Sequence, residues 1–257
     1  MTRAYQRIVV TRSGGIEKIA LDNPRRRNAI GPQMTNELLW ALEDARAADD
    51  VRAIVLTGEG KAFCAGGDFT GGADDESLPR RGDFADLLAA LCGSDKPVVA
   101  RVNGDAMGGG LGLVAACTFA VASSEARFGT PEIDVGIFPM MIMAVLARHA
   151  PRRRLLEMML LGQRFDAAEA ARLGFVNRAV PPDALDSEVD AITAAIASKS
   201  ASTLRLGLRA FVAQDDLDLA RALPLLRERL AECLTTDDAR EGLLAFLEKR
   251  APRWSGK

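Results

Sequence analysis

Glu132 is a lone carboxylate in an apolar neighbourhood, just after Thr130-Pro131. Upstream of it, Gly108-Gly109-Gly110 lead into a segment without charge, Leu111 to Cys117. A glycine triplet that opens a buried helix brings backbone N–H groups close to a ligand. Without Cβ atoms the loop folds tightly, and the free amides of the first turn, together with the helix dipole, favour negative charge. A second glycine-rich turn, Gly58-Glu59-Gly60-Lys61-Ala62-Phe63-Cys64-Ala65-Gly66-Gly67-Asp68, follows another apolar run. Two amide-presenting loops and one isolated carboxylate suit a reaction in which an oxyanion develops while a proton moves.

Other chemistries are poorly served. Gly110-x-Gly112-x-x-Ala115 has the letters of a dinucleotide fingerprint, but the helix it opens is too short for a crossover helix. There is no GxSxG. One histidine, His149, and four separated cysteines (Cys64, Cys92, Cys117, Cys233) without a CxxC pair speak against a metal site. No histidine is near Cys64 in sequence, so that thiol reads as packing, and His149 falls near a helix C-terminus, where positive charge is favourable.

These loops need a frame. The chain has 257 residues, 48% of them hydrophobic and 26% charged, with a net charge of −2. That is enough chain for a full core and one large domain. The charge points to neither nucleic acid nor an anionic membrane, and no apolar run approaches a spanning helix. Scattered thiols and an N-terminus without a signal core predict a cytoplasmic protein.

Ile8 to Thr11 and Ile16 to Leu21 flank Ser13-Gly14-Gly15 as a hairpin. Arg25-Arg26-Arg27 form a loop, either a solvated turn or a phosphate contact, and a helix starts at Pro32. Arg52 to Thr57 and Pro97 to Val102 read as buried strands, and Phe84 to Cys92 as a helix. Thr70 to Asp83, polar with glycine and proline, is a candidate lid between the two amide loops. Met140 to Leu146 gives a methionine-rich wall, read either as core or as the lining of an acyl tunnel. Helices over Arg152 to Leu161 and from Asp166 to Gly174 precede a strand, Phe175 to Val180. From Asp183 onward everything reads as helix.

Several motifs in order carry a resemblance: Pro24-x-x-x-Asn28-Ala29; Lys61-Ala62-Phe63-Cys64-Ala65-Gly66-Gly67-Asp68; Asn103-Gly104-x-Ala106-x-Gly108-Gly109-Gly110; Phe128-Gly129-x-Pro131-Glu132-x-x-x-Gly136-x-x-Pro139; and a C-terminal run from Asp237 to Pro252. Over essentially its whole length the chain resembles the crotonase (enoyl-CoA hydratase/isomerase) superfamily. The resemblance implies an α/β fold, a crotonase-like spiral of ββα units over 1–195 with a C-terminal helical trimerisation region over 196–257. It implies a homotrimer or dimer of trimers and a CoA thioester as substrate, with no further cofactor. It makes Glu132 the catalytic carboxylate and the amides of Ala65 and Gly109 the oxyanion hole. It places CoA contacts at Arg27, Ala29, Lys61, Ala65, Gly66, Asp68, Phe246 and Lys249, the last from a neighbouring subunit.

One departure matters. Two-glutamate hydratases of the family carry their first glutamate two residues after the glycine triplet, where this chain has Gly112. Neither Asp105 nor Asp68 substitutes clearly, Asp68 reads as bracing its turn, and the 69–83 loop stays open as the source of a second acid. Met140 after Phe138-Pro139 argues against the family's hydrolases. A single base can take a proton from C2 and return it at C4, so the expected activity is double-bond isomerisation. The alternatives are hydration of a 2-enoyl-CoA through Glu132 and, in another class, a catalytically weak acyl-CoA-binding protein.

Overall fold

A computed structural model describes residues 3–68 and 78–257. Strands β1 (Ile8–Ser13) and β2 (Ile16–Leu21) form the expected hairpin, turned by Gly14 and Gly15, both at positive φ. Helix α1 (Pro32–Ala47) begins with proline at N1 and buries Met34, Leu38, Ala41, Leu42 and Ala45 on one face. Then β3 (Ala53–Gly58), β4 (Ala62–Cys64) and α2 (Phe84–Cys92) follow. Asp83 caps α2 through the amides of Ala85 and Asp86.

The same order repeats as β5 (Val98–Val102), β6 (Asp105–Met107) and α3 (Gly109–Ala116). It recurs again as β7 (Phe119–Ser123) and β8 (Arg127–Gly129), followed by a 3-10 turn (Pro131–Val135), α4 (Met140–Leu146) and α5 (Arg152–Leu161). A last unit is β9 (Arg164–Asp166), α6 (Ala167–Leu173) and β10 (Arg178–Val180), before α7 (Leu185–Ala197), α8 (Ala201–Gln214), α9 (Leu219–Leu234) and α10 (Asp237–Leu247).

Longer strands and three-residue strands go to different sheets. One sheet has the order β1-β2-β3-β5-β7-β10, parallel apart from the β1/β2 hairpin. The other has the order β4-β6-β8-β9, parallel from β4 to β8. Each turn of chain therefore contributes a long strand, a short strand and a helical segment, which is the ββα spiral of a crotonase fold. The core lies between the sheets and α1 to α6, with Phe63, Phe128, Leu111, Leu113 and Leu146 fully buried.

Every helix expected from periodicity is present. The second sheet was not expected, nor was β7. Three-residue strands are too short for an alternation to show, and Phe119–Ser123 sits directly behind the apolar helix it pairs away from. At the other end of the chain Asp238, 1% exposed, ties α10 to the chain end. It accepts hydrogen bonds from the Ser200, Ser202 and Ser255 hydroxyls and from the Gly256 amide.

Candidate active site

Three adjacent parallel strands of the small sheet aim three loops at one place. The loop after β4 carries Gly66, Gly67 and Asp68; β6 runs into Gly108 and α3; β8 runs into Thr130, Pro131 and Glu132. Neighbouring strands stand about 4.8 Å apart, so the C-terminal ends of β4, β6 and β8 gather groups far apart in sequence. Gly108 N donates to Gly129 O at 2.8 Å, which ties the glycine turn to β8. Gly66, at φ 105°, passes so close to β6 that a Cβ there would stand 3.2 Å from Met107 O.

These loops border a cavity of about 750 Å³. Gly67, Gly109 and Glu132 line it with the apolar Ile30, Phe84, Phe138, Met140, Met141 and Ile142 on one side and polar residues, among them Gln33, Asn36, Glu37 and Asp83, on the other. On the far side the segment Leu78 to Asp83 is held against α1. Asn36 Nδ2 and Trp40 Nε1 donate to Pro79 O at 3.2 and 2.9 Å, and the Arg81 guanidinium stacks 3.7 Å over the Trp40 ring. Of the candidate lid, residues 70–77 lie outside the described residues; 78–80, 82 and 83 border the cavity.

The Glu132 carboxyl rests against the Cα of Gly108: a Cβ on that glycine would stand 2.8 Å from Glu132 Cδ. Its Oε2 is buried and has no hydrogen-bond partner among the described residues. Burial pushes the Glu132 carboxyl above the ordinary glutamate value, against a smaller opposing effect from a hydrogen bond with its own backbone amide. A desolvated carboxylate with one oxygen unpartnered among the described residues has the chemistry of a proton acceptor.

The amides follow a different pattern from the one expected. Ala65 N donates to Arg27 O at 2.9 Å, and Ala65 does not line the cavity. Its amide is spent on bracing, so the expectation of an oxyanion donor at Ala65 is corrected. Arg27 and the next residue, Asn28, both have positive φ, which turns the Arg27 carbonyl toward that loop. Gly67, by contrast, lines the cavity. The bridge between Ile30 and Gly67 uses Ile30 N to Gly66 O and Asp68 N to Ile30 O, which leaves Gly67 N outside the ladder. Gly109 is the first residue of α3, and its N–H has no acceptor within the helix.

The other expected contacts are distributed as follows. Asp68 borders the cavity and pairs with Arg26 at 2.9 Å, a brace across the turn. Asp105 pairs with Arg27, and Lys61 is exposed between β3 and β4. Ala29 is half-buried and Gly66 is buried; neither lines the cavity. Phe246 and Lys249 lie on or just past α10, which packs on α8 and α9, so within one chain they are not brought to the cavity. Met140 and Met141 line the cavity, whereas Met143 packs against the core. Burial pushes the Cys64 thiol up to about 12, as expected of a packing residue. His149 Nε2 lies 2.8 Å from Ala115 O at the end of α3. Gly112 has no room for a side chain: a Cβ would stand 2.9 Å from Ile142 Cβ and closer still to Ile142 Cγ2.

A ββα spiral with two amide loops and a carboxylate at one cavity defines a crotonase-type enzyme site. The chain belongs to the enoyl-CoA hydratase/isomerase family, whose profile matches residues 11–257. It is 36% identical over 245 residues to the enoyl-CoA hydratase domain-containing protein 3, mitochondrial, of Rattus norvegicus, covering 94% of this chain and 82% of that one. The crystal structure of an enoyl-CoA hydratase from Mycobacterium smegmatis superposes with a TM-score of 0.91 at 34% identity, covering 97% and 99% of the two chains. The structure of human enoyl-CoA hydratase domain-containing protein 3 gives 0.90 at 32% identity, covering 97% and 100%. Among the described residues no helix is long and apolar enough to cross a membrane.

Proposed function

We propose that this enzyme isomerises a 3-enoyl-CoA to the conjugated 2-enoyl-CoA with Glu132 as its one base. Glu132 takes a proton from C2; the electron pair delocalises onto the thioester oxygen, where the amides of Gly67 and Gly109 meet it. The same carboxyl then returns the proton at C4, and the double bond moves from C3–C4 to C2–C3. The observation that carries this reading is the buried Glu132 Oε2, unpartnered among the described residues, in a cavity whose other described acids are engaged. Asp68 pairs with Arg26, Asp83 caps α2, and Glu37 accepts from the Arg7 amide. Loss of one oxyanion donor costs about 3–4 kcal/mol of transition-state stabilisation.

A second reading, hydration of a 2-enoyl-CoA, is favoured by the names of the relatives. The two are separated by following the absorbance of the conjugated thioester on a 3-enoyl-CoA and on a 2-enoyl-CoA in parallel. Isomerisation raises it on the first, hydration lowers it on the second, and a fall without any rise would remove the isomerase reading. Because Glu132 acts deprotonated and burial raises its pKa, the isomerisation rate is expected to fall on the acid side at a pH above the ordinary carboxylate range. A profile flat down to about pH 4.3 would contradict a buried base.

In the same reading, the exposed Arg25, Arg26, Arg27 and Lys61 receive the CoA phosphates. Lys249 does so from a second copy of the chain, and Phe246 of that copy packs against the apolar part of the CoA, because the C-terminal helices present Phe211, Leu219, Leu223, Leu230 and Phe246 more than half exposed. A homotrimer or dimer of trimers covers that face, and sedimentation of the chain as a 27.5 kDa monomer would rule it out.

A further inference from the structure

Gly108 and Gly112 stand one turn apart on a single face at the start of α3, since Gly112 N donates to Gly108 O at 3.0 Å. The Glu132 carboxyl lies on the first of these glycines and the Ile142 side chain on the second. Cα–Cβ bonds in a helix tilt toward its N-terminus, so a side chain at Gly112 would lean toward Glu132. That place is closed. Ile142 Cβ lies 2.9 Å from where a Cβ at Gly112 would be, with Leu88 Cδ2 behind it at 3.7 Å, and Ile142 is 3% exposed.

From this stacking we infer that Ile142 is the specificity-determining residue that commits the site to proton shuttling and keeps water addition out. Water addition places the water oxygen on C3 and a proton on C2. It needs a held water and a group facing Glu132 that gives or takes the second proton. A held water needs two to four polar partners, and a sealed Gly112–Ile142 contact offers none. The neighbouring wall of Phe84, Met140 and Met141 is equally apolar. Ile142 acts by occupying space and does not touch the moving proton. The inference rests on Glu132 being the base, and it adds what decides between the two reactions of that base.

The test uses Ile142→Ala, Gly112→Glu and the double variant Gly112→Glu/Ile142→Ala. Each is assayed for hydration of a 2-enoyl-CoA and isomerisation of a 3-enoyl-CoA, with binding of a saturated acyl-CoA and circular dichroism as controls for an intact site. The ratio of hydration to isomerisation is expected to rise about tenfold in Ile142→Ala and further in the double variant. Gly112→Glu alone is expected to lose both activities and melt earlier, because Ile142 leaves it no room. If Ile142→Ala does not fold, Ile142→Val reads the same ratio. Folded variants that bind the saturated thioester yet hydrate no faster than the parent would overturn the role of Ile142 and leave the isomerase reading standing. A parent that moves no double bond, beside variants that gain hydration, would sink the isomerase reading and keep the role of Ile142.

Discussion

Replacing Glu132 by glutamine is expected to lower isomerisation of a 3-enoyl-CoA by about 10²–10⁴-fold while raising the melting temperature of the chain. The two effects share one cause. The carboxyl sits against Gly108 with Oε2 buried and unbonded among the described residues. An ionised carboxyl there gives up hydration that the hydrogen bond from its own backbone amide offsets only in part. Its pKa is raised in the folded state, so between the unfolded and folded values the native state binds more protons than the unfolded one. Stability therefore falls as pH rises through that window. Glutamine has the same shape without the charge. The expected signature is a melting temperature that rises for the variant at pH 7 and converges with the parent in acid. An active variant, or one that melts earlier at pH 7, would remove Glu132 from its role as a strained, desolvated base.

Gly108→Ala is expected to reduce kcat/KM by about 10²-fold, through displacement of Glu132 by roughly an ångström. Gly108 has φ 50° and ψ −120°, a conformation that side chains rarely adopt, which costs about 1–3 kcal/mol. Its new Cβ would also stand 2.8 Å from Glu132 Cδ, so the carboxyl must move or the turn must open. Gly207→Ala is the control: it lies within α8 with nothing within 4 Å of an added Cβ. It should leave activity alone and stabilise by about 0.5–1 kcal/mol. Comparing kinetics and thermal melting of the two variants checks this. Equal kinetics would mean that Gly108 does not hold the base in place.

Much of this was legible before any coordinates. The helices α2, α4 and α5 fall on the residues that apolar spacing and flanking Pro and Asp indicate. Glu132 stands out because a carboxylate amid apolar residues has few structural uses, and the glycine triplet because a helix opened by glycines frees its amides. Other features were illegible for identifiable reasons. The sequence pointed to Ala65 as the donor on its loop; the hydrogen bond from Ala65 N to Arg27 O takes that amide out. That bond depends on the turn of Arg27 and Asn28 into positive φ, which three arginines in a row do not announce.

By itself the sequence determined the groups available: one carboxylate, two glycine-rich loops, no second acid at Gly112, and the order of long strands and helices that makes a parallel sheet. These follow from residue type and local periodicity, which act over a few residues. Only the tertiary structure decided which of these groups meet. The small sheet β4-β6-β8 sets the three loops side by side, and its pairing is between chain segments tens of residues apart, each too short to show a pattern. In the same way, Ile142 closes the space above Gly112 because α4 folds back onto α3. Whether an empty position admits water depends on its neighbours in space, and packing, not sequence, selects them.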